Sequence, residues 1–167
     1  METHMPSKLR SRTPWRTKLE HPSIPLPKIV SVPAKWQSRL GAGTMAIPRP
    51  LDVDALVRSV KKGRVMTQGQ LRARLARKYR VDHTCPLTTG IFLRIVSEVA
   101  EEDRRAGRKT LTPYWRMLRD DGGLNEKFPG GTRAQARRLR KEGLSIVPAK
   151  GTKPPRVKDF ERHLIGA

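Results

Sequence analysis

The residues best placed to do chemistry lie in one short run, Pro113-Tyr114-Trp115-Arg116. A phenol, an indole and a guanidinium side by side can line a pocket for a flat ring, or they can simply fill a core. A second focus is Cys85, the one cysteine, in the run Asp82-His83-Thr84-Cys85-Pro86 at the expected start of a helix. A thiol at a helix N-terminus becomes more acidic and more reactive, whereas a free cysteine more often behaves as a small apolar side chain. A lone cysteine excludes an internal disulfide and any zinc site built from several cysteines. His4, His21, His83 and His163 are scattered, without the spacing of metal ligands. Neither a metal nor a cofactor is expected.

Charge supplies the context for these residues. Thirty-six Lys and Arg stand against 15 Asp and Glu, a formal net charge of +21. Such an excess calls for a polyanionic partner, nucleic acid or an anionic membrane surface. No apolar run is long enough to cross a bilayer, and the N-terminus lacks the apolar stretch of a secretory signal. The most basic helical patterns carry mainly Leu and Ala opposite their charges, which is weak for membrane-surface binding. Nucleic acid is therefore the expected partner, in a reducing cytoplasm.

Three regions follow along the chain. Residues 1–44 are rich in Pro, with eight basic and two acidic residues, and read as an extended arm that Trp15 and Trp36 pin to the domain. Residues 45–147 hold the periodic segments. A helix begins near Asp52 or Asp54, with Leu51, Ala55, Leu56 and Val60 at helical spacing, and the run Lys61-Lys62-Gly63-Arg64 stops it. Thr67 with Gln70 three residues on is a capping-box pattern opening a second helix, whose Leu71, Leu75 and Tyr79 face inward. After a polar loop, Ile91, Phe92, Ile95, Val96, Val99 and Ala100 form the stripe of a long helix ended by Gly107. The two helices make a helix-turn-helix candidate. Residues 111–118 read as extended because of Pro113, and 119–131 as a turn-rich loop suited to a wing. A last helix runs from a Thr132 cap to Gly143, followed by a short strand at 144–147. Residues 148–167, with five basic and two acidic residues, read as a basic tail.

The order of these pieces, with Thr67-Gln68-Gly69, Pro113-Tyr114-Trp115-Arg116-Met117, the run 122–131 and Ala136 to Gly143, resembles the C-terminal DNA-binding domain of O6-alkylguanine-DNA alkyltransferases (methylated-DNA–protein-cysteine methyltransferases). It is more similar still to their alkyltransferase-like relatives, across 45–147. The resemblance implies a mainly α fold with small β elements, a winged helix-turn-helix domain, here flanked by extended basic arms. In the active family the segment matching 113–117 reads Pro-Cys-His-Arg-Val, and its cysteine accepts the alkyl group. Tyr114 and Trp115 stand at the Cys and His positions. A phenol titrates well above a thiol and attacks poorly, and an indole only donates. Alkyl transfer is not expected, and Glu142, which matches the carboxylate that orients the histidine, has no histidine to orient. The resemblance implies a base pocket at Pro113, Tyr114, Trp115 and Arg116, either open or filled by the two aromatics.

Expected DNA contacts are Thr67, Gln68, Arg72, Thr88, Thr89, Arg94, Lys127, Gly130, Gly131, Arg133 and Arg137. Gln68 replaces the tyrosine with which the family rotates a nucleotide phosphate, and Thr88 or Thr89 stands near the family's arginine finger, with Arg94 farther along. Arg133, Arg137 and Lys141 share a helix face, and Arg72, Arg74, Arg77, Lys78 and Arg80 come from the helix before; such faces suit phosphates, with steep salt dependence and little sequence readout. The expectation is a monomeric, nucleoid-associated, non-enzymatic protein on double-stranded DNA, recognising O6-alkylguanine and passing it to a repair protein. The alternatives are a general DNA- or chromosome-binding protein, an alkyl acceptor using Cys85, and an RNA-associated protein.

Overall fold

The computed structural model describes residues 13–166; His4 and the rest of the first twelve residues, and Ala167, lie outside it. The chain runs α1 (Trp15–Glu20), β1 (Lys28–Ser31), α2 (Gln37–Leu40), β2 (Thr44–Ile47), α3 (Pro50–Arg58), β3 (Met66–Thr67) and α4 (Gln68–Tyr79). It continues through β4 (His83–Thr84), α5 (Pro86–Arg105), β5 (Met117–Leu118), α6 (Gly131–Lys141), β6 (Ile146–Val147) and β7 (Arg156–Val157). It is mainly α, with strands of two to four residues.

The long helix α5 is the spine. Pro86 at its first turn is pre-set for a helix start, and Leu93, Val96, Val99 and Ala100 bury one side against α3, α4 and the segment 114–117. α3 contributes Val53 and Val57 to the same core, joined by Val60 just past its end, and turns Leu51 and Ala55 outward, because the buried face lies about half a turn from them. α4 opens on the expected capping box: Gln70 N donates to the Thr67 hydroxyl at 3.1 Å and Thr67 N to Gln70 Oε1 at 3.1 Å. Leu71 and Leu75 are fully buried. Tyr79 is half-buried, and its hydroxyl donates to Asp52 at 2.6 Å.

A second apolar cluster joins Val65, Leu118, Leu124, Ala136, Leu139, Leu144 and Val157. It holds α6 to the β3–β5 parallel pair and the antiparallel β6–β7 pair. β1, β2 and β4 form the largest sheet, antiparallel and then parallel.

Several expectations need correction. The described parts of the regions read as arms are tied to the domain: Leu19 is buried, Trp15 rests on the core, and β1 pairs with β2 from Lys28–Ile47 to Ser31–Thr44, across the boundary drawn at residue 44. β7 likewise pairs with β6 across the boundary at 147. The prolines at 22, 25, 27 and 33 keep the stretch between α1 and α2 out of an α-helix but leave it free to pair at a sheet edge. Residues 114–116 form a 3-10 turn before β5, not one continuous extended run. The loop 119–130 has no strand pair of its own and bridges at Gly123 to Arg156. α6 is capped by Gly130 at φ 76°, not by Thr132, which lies inside its first turn. Gly130 and Gly131 both have positive φ, the conformation glycine adopts without strain.

Candidate nucleic-acid interface

The aromatic run is deeply engaged inside the protein. Tyr114 is 2% exposed. Its ring meets Phe128 and Trp115 edge-on, with centroids 5.2 and 5.5 Å apart. Its hydroxyl donates to Glu101 Oε1 at 2.8 Å. Glu101 also accepts from Arg138 of α6 at 2.6 Å and from Arg104 at 2.7 Å, so one carboxylate joins α5, the 114–116 turn and α6. The Arg138 guanidinium lies 4.4 Å from the Trp115 ring centroid.

These contacts set the titration of both groups. Burial, and then the hydrogen bond to Glu101, raise the Tyr114 phenol above its ordinary value, against the opposing charge of Arg138. Burial alone would raise Glu101, but the hydrogen bonds from Arg104 and Tyr114 and the charge of Arg138 hold its carboxyl below the usual range.

Arg116 and Trp115 are held just as firmly. Arg116 pairs with Glu142 at 2.6 Å and donates to the Val60 carbonyl at 2.6 Å. Trp115 Nε1 donates to Glu142 at 3.3 Å. Glu142 thus anchors an arginine and an indole. Pro113 is buried. The space at 113–116 is filled by its own side chains, with Tyr114 occupying it, so the open form of the expected base pocket is not present there.

The open surface lies along the N-terminal half of α5. Leu87 and Ile91, one turn apart, are 61% and 50% exposed. Ile91 was expected in the buried stripe, but the 3.6-residue period gives the core to Leu93, Val96 and Ala100 and leaves 87, 91 and 94 on the outer face. Gly90 sits between them, and a methyl group built on it meets nothing within 4 Å. Arg94 is exposed on the same face.

A groove of about 680 Å³ runs along this face, lined also by Trp15 and Lys18 of α1, Gln68, Asp120, Asn125 and Lys127. Lys18 and Arg94 lie 4.6 and 5.7 Å from the Trp15 ring centroid. A neighbouring depression links Leu87 to Trp36, Arg39 and Arg72.

The expected contact residues therefore separate. Gln68, Arg94 and Lys127 line the groove, and Arg72 stands beside it, paired with Asp120 at 3.3 Å. Thr89 is buried and donates to the Cys85 carbonyl at 2.7 Å, so it does not reach the surface. Thr88 is half-buried, its hydroxyl 3.5 Å from the same carbonyl. Thr67 is spent on the α4 cap, and Lys78 on Asp52 at 3.0 Å. Gly130 and Gly131 shape the turn into α6. Arg133 and Arg137 are exposed on α6, away from the groove lining.

Cys85 caps α5 from a buried position among Val32 and Met45. Among the described residues no group of three His, Cys, Asp or Glu could hold a metal ion, and no helix is long and apolar enough to cross a membrane.

No protein-family model and no curated protein matches this chain. Among solved structures it is similar to Atl1 of S. pombe, in complex with damaged DNA containing O6-carboxymethylguanine. That similarity covers 71% of this chain and 94% of Atl1, at 17% identity and a TM-score of 0.48. At that identity and overlap, the roles of individual residues rest on this chain's own side chains.

Leu87, Gly90 and Ile91 are the functional candidates the sequence reading missed. One signal pointed to them. Counting Leu87 with the stripe from Ile91 to Ala100 makes the apolar arc of α5 wider than one core-facing side needs.

Proposed function

We propose that the protein binds duplex DNA with the outer face of α5 and catalyses no alkyl transfer. One observation carries the reading. On a helix whose other side is fully packed, two large apolar side chains stand exposed around a glycine with open space, and cations surround them. Apolar side chains that wedge between base steps, flanked by arginine and lysine, suit a minor groove and its phosphates. A glycine in the first turns of a helix costs about 1 kcal/mol against alanine. It is suited to a site where another backbone must come close. Gln68 and Asn125 offer amide groups to base edges.

The state of Tyr114 supports the absence of alkyl transfer. Its phenol is enclosed, donates a hydrogen bond to a carboxylate and is held protonated by burial. Cys85 is enclosed as well.

A second reading has one feature in its favour. The groove beside Trp15 has room for a base turned out of the helix, with the indole face as a stacking surface. On that reading the protein recognises O6-alkylguanine as a monomer on nucleoid DNA and passes it to a repair protein. Titration of 13-base-pair duplexes with and without O6-methylguanine, at two salt concentrations and with an RNA competitor, tests both readings. Binding that falls steeply with salt and resists RNA is expected. Equal affinity for the two duplexes removes lesion recognition and leaves duplex binding standing. Preference for RNA removes both.

A further inference from the structure

The α6 side of the molecule carries a second body of charge that the α5 groove does not use. α6 buries Gln135, Ala136 and Leu139 and turns Arg133, Arg137, Arg140 and Lys141 outward. Helical period puts these four on one side. The turn after α3 lies against the end of this helix: a methyl group built on Gly63 would come 3.9 Å from the Glu142 carbonyl. That puts exposed Lys61, Lys62 and Arg64 on a turn next to the end of α6, which carries exposed Lys141. Arg64 in turn donates to the carbonyl of exposed Arg162 at 3.3 Å.

Among the described residues none of these eight cations has an ion-pair partner. Glu142, the carboxylate at the junction, is already paired with Arg116. At the α5 groove, among the described residues, Arg72 and Arg119 each have a carboxylate, at 3.3 and 3.9 Å, while Lys18, Arg94 and Lys127 do not. None of the eight lines that groove. The patch also lacks what a protein partner or a stacked base would use. The exposed large aliphatic residues of the described chain are Ile24, Ile29, Leu51, Leu87 and Ile91, all outside it. Dense positive charge without apolar surface suits a phosphate backbone, which supplies negative charge at regular spacing and asks for no base contact.

We propose that the α6 face holds the phosphate backbone of a second duplex segment, so that one protein molecule joins two stretches of DNA. The proposal rests on the α5 groove being the first DNA site.

The test immobilises one duplex, adds the full-length protein and measures capture of a second, labelled duplex. Affinity for a single 13-base-pair duplex is measured in parallel. The variants are R133Q/R137Q/R140Q/K141Q on α6 and L87S/I91S on α5. The wild type is expected to capture the second duplex. The α6 variant is expected to lower capture at least about tenfold and to reduce its salt slope by about three to four, the share of four phosphate contacts. Its affinity for the single duplex should change by less than about threefold, while the α5 variant should weaken single-duplex binding.

Three results overturn the proposal: no capture by a wild type that binds the first duplex; equal losses of capture and single-duplex affinity in the α6 variant, which would mean both faces grip one duplex; or a DNA-free dimer in sedimentation that accounts for the capture. Failure of the α5 reading looks different, because L87S/I91S would then leave single-duplex affinity unchanged.

Discussion

The two ends of α5 reverse what their residue types suggest. Toward α6, a phenol, an indole, three arginines and two glutamates look like a reactive centre, yet their polar groups are matched and, apart from the exposed Arg104, largely covered. On the outer face, a leucine and an isoleucine look like core and stand in solvent. Satisfied polar groups in a low-dielectric interior fix a structure and resist change. Exposed apolar groups ringed by charge are the ones left with a favourable contact still to make. The proposed function rests on what is unsatisfied rather than on what is chemically elaborate.

The strongest way to break this contrast is to disturb the enclosed side. Glu101→Ala leaves Arg138 and Arg104 without their carboxylate and the Tyr114 hydroxyl without its acceptor, and is expected to cost about 3–5 kcal/mol of stability. Denaturant unfolding measures it, and DNA affinity of the folded fraction should be unchanged. On the open side, Leu87→Asp with Ile91→Glu should weaken duplex binding about a hundredfold through lost wedge contacts and repulsion from phosphates, with the melting temperature within a few degrees of wild type. A large drop in melting temperature would show that this face is core after all.

A finer distinction comes from Tyr114→Phe, which keeps the ring packing and removes one donor from Glu101. It should cost about 1–2 kcal/mol and leave binding alone. Loss of binding instead would place Tyr114 in the recognition site. Arg94→Ala should weaken binding about threefold to tenfold and flatten its salt dependence by about one unit.

The smallest effect concerns pH. Burial alone would raise the Asp52 carboxyl, but hydrogen bonds from Arg49, Tyr79 and Lys78 outweigh it and lower the group from 3.8 to about 2. A carboxyl lowered by folding adds stability that is complete above its unfolded value and fades as pH falls from about 4 toward 2. Asp52→Asn should flatten the acid limb of the stability curve in that window, and duplex binding at neutral pH should not change.

Several elements were legible in the chain because their causes are local. The Thr67–Gln70 capping box opens α4 as its spacing requires, α5 starts next to Cys85 as expected, and Gly143, at φ 91°, follows the end of α6. The terminal regions were not legible. A run of prolines says where a helix cannot be, but β1 depends on a partner edge that only β2 supplies. The α5 stripe was half legible. Its period was correct, yet periodicity does not say which of two apolar arcs meets the core, and Ile91 was placed on the wrong one. Thr89 failed for the same reason in reverse, a polar side chain turned inward to its own helix turn.

From composition alone come the demand for a polyanion and the absence of a thiol at position 114, because net charge and side-chain chemistry do not depend on folding. Only the tertiary structure decided that the phenol is closed in, that Glu142 serves Arg116 and Trp115, and that Leu87 and Ile91 face outward. Burial and pairing are properties of neighbours brought together from distant parts of the chain, and no local pattern carries them.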